Sequence, residues 1–510
     1  MKSKINQLKA GVFLSYITMG AQTIISLLYT PVMLRLLGKS EYGVYNLVNS
    51  IVSYLGLLSF GFSSAYIRFY SVYKSNKDDD KIASLNGMFI TIYSVIALIS
   101  IIAGTIMTMN ASSIFAGGLT NSEIKTAKGL MYLMVLNIAI SLPLSVFNSI
   151  VTSHEQYIFQ RIVNLLRTIL NPFLALPLLF LGFKSISLVI VTTIITIMTF
   201  VVNYSYCVKK LNVKFDFGHF DFRLLREIWV FSFYIFINIV VDQINWSIDK
   251  IILGKFRGSS EVAIYSIGSQ FNSLYLTFST AISSVFIPRV NKLVSENSSN
   301  ELITKLFTKV ARIQLIVLSL IVSSFAFFGK YFIKIWAGEE YIYSYKTSYQ
   351  IALILMIPVT IPLIQNLGIE IQRAKNKHKF RSFLYLMISV INIILSLILC
   401  KKWGGIGCAL GTAISLIIGN VIIMNWYYSE KIHLDMLYFW KRVMQFIPSL
   451  ILPSIIGVGI QLIVKIDSIY KLIGFGTLYI MIYIISIWSI GMDDTEKELI
   501  RKPIKSLLSR

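Results

Sequence analysis

Long apolar runs follow one another along almost the whole chain, and they limit the possible fold more than any other feature. Fourteen can be read: 11–34, 42–67, 87–108, 129–152, 162–181, 186–207, 228–253, 261–287, 310–329, 348–369, 382–400, 404–427, 443–464 and 471–490. A helix needs about 20 apolar residues to cross a hydrocarbon core about 30 Å thick. Extended segments would leave their backbone polar groups unsatisfied in lipid. The runs therefore predict an all-α polytopic membrane protein with about 14 transmembrane helices. The 510 residues are 55% hydrophobic and only 14% charged, against about 25% charged in soluble proteins. Three cysteines are too few for a disulfide scaffold, and the hydrophobicity excludes disorder. The first run is too long for a signal-peptide core, so it is expected to remain as span 1. No connection is long enough for a separate catalytic domain, so function must be built among the helices.

A net charge of +23 would suit nucleic acid if it formed a folded basic face. Here the basic residues sit in short loops between apolar runs, where lipid headgroups and membrane orientation account for them. With the N-terminus in the cytoplasm, cytoplasmic segments hold 31 Lys and Arg and the opposite side 15. The expectation is therefore both termini inside, with membrane lipids as partners and no nucleic acid.

The chain repeats itself. The junction Gly38-Lys-Ser-Glu-Tyr-Gly-Val-Tyr45 has a counterpart in Gly254-Lys-Phe-Arg-Gly-Ser-Ser-Glu-Val-Ala-Ile-Tyr265. Ser40, Glu41 and Tyr45 fall on Ser260, Glu261 and Tyr265 at an offset of 220 residues, and Ser53 falls on Ser273. The same offset pairs Arg161 with Arg381 and aligns Ile186, Thr192 and Ile194 with Ile406, Thr412 and Ile414. An even number of helices per repeat gives both copies the same orientation, as in transporters that rock two halves about a central site. The organisation expected is two six-helix bundles related by a pseudo-twofold axis, 1–210 and 211–430, followed by two further helices and a cytoplasmic tail in 431–510.

Polar stripes interrupt the apolar runs at matched places. Span 7 carries Asn238, Asp242, Asn245 and Asp249 at i, i+4, i+7 and i+11, all on one helical face. Span 8 carries Ser266, Ser269 or Gln270, Ser273 and Thr277. Span 2 carries Asn46, Asn49 or Ser50, and Ser53, and span 1 carries Ser15, Thr18, Gln22 and Ser26. A single Ser or Thr is accounted for by helix–helix hydrogen bonding, at about 0.6 kcal/mol each. An ionised Asp at mid-bilayer costs about 2.5–3.5 kcal/mol, so Asp242 should face water, a cation or a partner. Together the stripes point to a hydrated cavity between the halves. Asp249 and Lys250 read equally as an ion-coupling pair or an interfacial pair. Arg167 lies one to two turns into span 5 and suits either an anionic headgroup, which guanidinium binds bidentately, or snorkelling to the membrane surface. Arg35, Arg68, Arg289 and Arg312 at span ends are expected to snorkel.

Other signals are weaker. Nine of the ten prolines, Pro31 to Pro453, fall in or beside spans, where they can bend helices. Asp78-Asp79-Asp80 lies beside Lys77 and Lys81 and reads as a solvated run. His154, His219, His378 and His433 lack zinc spacing. Cys207, Cys400 and Cys408 read as core thiols. No Walker A pattern is present, and no cofactor or metal is expected. The tail from Asp493 reads as a short amphipathic helix.

The stretch Arg35-Leu-Leu-Gly-Lys-Ser-Glu-Tyr-Gly-Val-Tyr45, with Asp249-Lys-Ile-Ile-Leu-Gly254 and Ser260-Glu-Val-Ala-Ile-Tyr265, resembles the polysaccharide (Wzx-type) flippase branch of the multidrug/oligosaccharidyl-lipid/polysaccharide exporter superfamily. The resemblance implies two six-helix bundles forming a V plus two added helices. It also implies no enzymatic activity and transport of a lipid-linked oligosaccharide, usually on undecaprenyl pyrophosphate, to the outer leaflet of a bacterial cytoplasmic membrane. Polysaccharide polymerases and glycosyltransferases would be pathway partners. Span 1 lacks the acidic residue frequent in drug exporters and the charges of lipid II flippases, and only Arg167 and Lys250 could serve as lumenal cations. The rival readings are a cation-coupled drug exporter and a membrane-embedded polymerase or ligase.

Overall fold

The computed structural model describes residues 7–218, 220–377, 379–498 and 501. Among them the regular structure is entirely helical, and the contacts divide the chain into two compact units, Met1–Ala263 and Ile264–Arg510.

The first unit contains α1 (Gln7–Leu37), α2 (Lys39–Val52), α3 (Phe62–Ser75), α4 (Asp79–Met109), α5 (Asn121–Ser153), α6 (Tyr157–Phe180), α7 (Lys184–Lys209), α8 (Phe222–Phe256) and the start of α9 (Ser259–Ser284). Each apolar run became a helix, usually a turn or two longer than the run, because polar residues at the ends still complete backbone bonds. The second run differs. Its helix tightens into a 3₁₀ stretch, Ser53–Ser59, and stops at Phe60 (φ 49°) and Gly61 (φ 70°) before α3 begins. Hydrophobicity continues through this break, so periodicity could not reveal it.

α1 packs on α6, α4 on α5, α5 on α7, and α2 on α8. The linker after α7 explains why α8 groups with this unit. Asn86 of α4 accepts from the Tyr66 hydroxyl at 2.6 Å and donates to the Lys214 carbonyl at 2.9 Å. The Asp216 amide donates to the Ala83 carbonyl at 2.9 Å. The linker is thereby tied along α4, and the division by contacts falls after α8, whereas the repeat boundary read from the sequence falls before it.

The second unit holds the rest of α9, then α10 (Ile287–Ser295), α11 (Asn300–Ala337), α12 (Tyr345–Ile364), α13 (Leu367–Ala374), α14 (Lys379–Leu416), α15 (Met424–Glu430), α16 (Met436–Met444), α17 (Ile451–Ile463) and α18 (Ile469–Ser486). The tenth run ends at Ile364, and its last residues form the separate helix α13. The stretch Lys379–Glu430 is continuous by hydropathy but turns back at Gly404 (φ 55°, ψ −131°). Beyond the turn, Thr412 donates to Asn392 at 3.1 Å. Residues 20 apart in one straight helix would lie about 30 Å apart, so the two legs run antiparallel. Cys400 and Cys408 flank this turn, buried and in no disulfide.

Among the described residues, twelve helices are long and apolar enough to cross a membrane. One of these stretches is the antiparallel pair just described, and α9 falls outside the set because of its polar stripe. The apolar flanks are bare: Phe173 is 70% and Leu98 59% exposed. Such surface on consecutive helices belongs against acyl chains.

Candidate functional site

Asp221 caps the start of α8. Its Oδ1 accepts from the amides of Arg223 at 2.8 Å and Leu224 at 3.0 Å, which satisfies two of the donors a helix start leaves open. The helix then carries its polar face through two environments. Asn238 and Asp242 are exposed, while Asn245 and Asp249 are buried. The change coincides with packing on α2 and the 3₁₀ stretch, where the Gln243 amide donates to Ser53 Oγ and, at 2.9 Å, to Ser247 Oγ. Asp249 lies within electrostatic reach of Lys250 and of Tyr54. Asp249 is therefore an interior acid of the first unit, while Asp242 is exposed.

On α2, Asn46 bonds back to the Tyr42 carbonyl at 2.9 Å and Asn49 is exposed. On α1, Gln22 is exposed, but Ser15 and Thr18 donate to the carbonyls four residues earlier, both at 2.8 Å. The α9 stripe behaves similarly: Ser273 donates to the Ser269 carbonyl and Thr277 to the Ser273 carbonyl, each at 3.0 Å. Gln270 is half-buried and Ser273 exposed. Such back-bonding uses hydroxyls locally. The polar character offered outward thus comes chiefly from the amides and carboxylate of Gln22, Asn49, Asn238 and Asp242.

Arg167 is exposed on α6. Its two asparagine neighbours divide their roles: Asn171 donates to Thr192 of α7 at 3.2 Å, and the Asn164 carbonyl accepts from Thr168 at 2.9 Å. Gln22, Asn46, Asn49, Arg167, Asn238, Asp242, Asn245, Asp249 and Lys250 all belong to the first unit, and Gln270 and Ser273 to the second. Two cavities in the first unit hold none of them. One, of about 290 Å³, is an apolar groove lined by residues including Phe60, Val95 and Trp229; the other, of about 490 Å³, includes Lys125 and Lys128. No cluster of His, Cys, Asp or Glu among the described residues could hold a metal.

Sequence reasoning missed or misplaced several polar groups. Gln243 sits between two stripe residues and went unnoticed. Glu123 had a signal, the Thr120-x-x-Glu pattern of a capping box, and the structure contains that box. Arg312 does not snorkel. It is 4% exposed and grips Glu496 through Nε at 2.6 Å and Nη2 at 2.9 Å. No local pattern announces a pair 184 residues apart. Asp78 caps α4, accepting from the Lys81 amide at 3.1 Å, and pairs with the Lys81 side chain at 2.8 Å, in keeping with a solvated run. His219 and His378 lie outside the described residues, as does most of the tail.

A family model described as "Polysaccharide biosynthesis protein" matches residues 32–346. A Shigella flexneri protein named as an O-antigen transporter is 21% identical over 415 residues, covering 80% of this chain and 94% of that protein. Among solved structures, a lipid II flippase, MurJ, in an inward closed conformation superposes with a TM-score of 0.74 at 19% identity, covering 93% of this chain and 98% of that one. A multidrug resistance transporter of the MATE family, inward-facing, gives 0.66 at 13% identity over 80% and 96% of the two chains.

Proposed function

From the premise that this chain belongs to the polysaccharide biosynthesis protein family, we propose that it is a flippase moving a lipid-linked oligosaccharide, carried on a polyprenyl pyrophosphate, from the cytoplasmic to the outer leaflet. The family match bears out the sequence resemblance at that level, and the flippase and exporter folds support the reading. The observation that carries the mechanism is the exposed pair Asn238 and Asp242 on a helix apolar enough to span the membrane. An exposed carboxylate is costly against lipid and cheap against water or a cation.

The sugar headgroup passes the polar faces of α1, α2, α8 and α9 while the polyprenyl chain stays in lipid. Fourteen crossings, counting α9 and both legs of Lys379–Glu430, would leave both termini on one side, and the excess of Lys and Arg in the segments on that side supports the cytoplasmic one. The two repeats alternate access, Arg167 captures the pyrophosphate from the cytoplasmic side, and Asp242 binds the proton or cation whose inward movement drives the cycle. A membrane potential of 100 mV supplies about 2.3 kcal/mol per charge for this. Asp249 and Lys250 support the coupling site from within the first unit.

A strain lacking the protein should accumulate lipid-linked oligosaccharide in the cytoplasmic leaflet, and the wild-type gene should clear it. Asp242→Asn should leave the protein at normal abundance and abolish most of that clearance. Full clearance by the variant removes the coupling role. Unchanged leaflet distribution in the deletion strain, with new sensitivity to lipophilic cations, replaces the flippase reading by drug export.

A further inference from the structure

We propose that Glu123 is the latch of an outer gate: it ties the α1–α2 junction to the α8–α9 junction, and the tie must part for the headgroup to leave. The inference rests on the flippase reading and on its sidedness, which puts both junctions and the start of α5 on the outer face.

Glu123 spends its two oxygens differently. Oε2 stays with its own helix, accepting from the Thr120 amide at 2.8 Å and from the Thr120 hydroxyl at 3.0 Å. Oε1 accepts from the hydroxyls of Ser40, in the first turn of α2, and Ser259, at the start of α9. Those two hydroxyls are themselves 3.4 Å apart. One carboxylate therefore holds three chain segments, two of which are the junctions that the repeat makes equivalent.

The seam around it is built from glycine. A Cβ on Gly43 would lie 1.9 Å from the Ser259 carbonyl oxygen, and one on Gly118 would lie 2.0 Å from that of Gly254. At these two points backbone meets backbone, while the Leu47 side chain packs over Gly254 beside them. Parting the two backbone contacts exposes peptide groups and hydroxyls, which water takes up again, and the apolar contact that opens with them is that of Leu47 on Gly254. This is the chemistry of a contact that can open and close repeatedly.

The repeat assigns α1, α2 and α5 to one half and α8 and α9 to the other. Rigid rocking of the halves cannot open the outer face while Glu123 holds both junctions. The function described above needs a path to the outer leaflet, so the latch must release in each cycle.

The test is the double variant Ser40→Cys, Ser259→Cys, whose thiols would stand where two hydroxyls now approach each other. Cys207, Cys400 and Cys408 are buried and in no disulfide, so the cysteine-substituted single variants serve as the background for the shift. In inverted vesicles loaded with lipid-linked oligosaccharide, mild oxidation should join the pair, seen as a shift on a non-reducing gel, and stop translocation. A reductant should restore it. Cross-linked protein that translocates like the reduced form overturns the latch, and so does a pair that oxidation fails to join in protein whose melting temperature matches wild type. Wild-type vesicles that translocate nothing overturn the flippase reading itself, an outcome visible before any oxidation, and the latch falls with it.

Discussion

Two carboxylates, one in each unit, gather several donors and do so with opposite chemistry. Glu123 takes hydroxyls and one backbone amide, beside glycine surfaces, in a half-buried setting. Glu496 is 1% exposed and takes a guanidinium in two contacts. The same Arg312 also donates to the carbonyls of Arg442 at 2.6 Å and Gly491 at 2.7 Å, and Arg442 pairs with Asp493 at 2.6 Å. The second cluster joins α11, the end of α16 and the chain after α18, with Arg312 and Glu496 sealed from water and the Arg442–Asp493 pair at its partly exposed edge. The first is a joint that water can enter and the second is a rivet. A protein that must move at one end needs both: a seam that opens cheaply and a clamp that keeps the added helices on their bundle while it does.

The comparison is broken most directly at the rivet. Glu496→Ala leaves Arg312 charged and buried, which costs about 3–5 kcal/mol. Purified protein should show a clearly lowered melting temperature, and an unchanged one would mean the cluster is ornamental. Glu123→Ala removes a cap and two hydroxyl contacts and should cost only about 0.5–2 kcal/mol. Its sharper consequence is in transport, where a loosened gate should raise the fraction of molecules whose Ser259→Cys thiol reacts with a membrane-impermeant maleimide from outside. Equal reactivity with and without Glu123 would make the two clusters the same kind of structure. The smallest effect is on pH. Burial pushes the Asp493 carboxyl up, but the Thr495 hydroxyl, the Glu496 amide and the charges of Arg312 and Arg442 outweigh it and hold the group below the usual carboxylate range. A depressed folded value means that the stabilisation is complete above the ordinary Asp value and is lost as pH falls through the folded one. Melting temperature should therefore drop on acidification, and Asp493→Asn should flatten the lower part of that curve.

Much of the architecture was legible because lipid is an unforgiving solvent. Fourteen apolar runs could only become helices, and Asp242 stood out because charge is rare where it sits. The Asp242 stripe was legible as a face but not as two environments, since spacing says which residues share a face and nothing about what covers it. Ser15 and Thr18 looked like stripe members and bond to their own helix. The turn at Gly404 and the break at Phe60 were hidden inside unbroken hydrophobicity, which carries no directional information.

By itself the sequence determined that this chain lives in a membrane, how often it crosses in outline, and which helices carry polar faces, because each of these follows from solvation of a short segment. Tertiary structure alone decided that Arg312 and Glu496 close on one another, that Asp249 is interior while Asp242 is open, and that two distant serines share Glu123. Those outcomes depend on groups brought together from far along the chain, and no local preference of a residue encodes its distant partner.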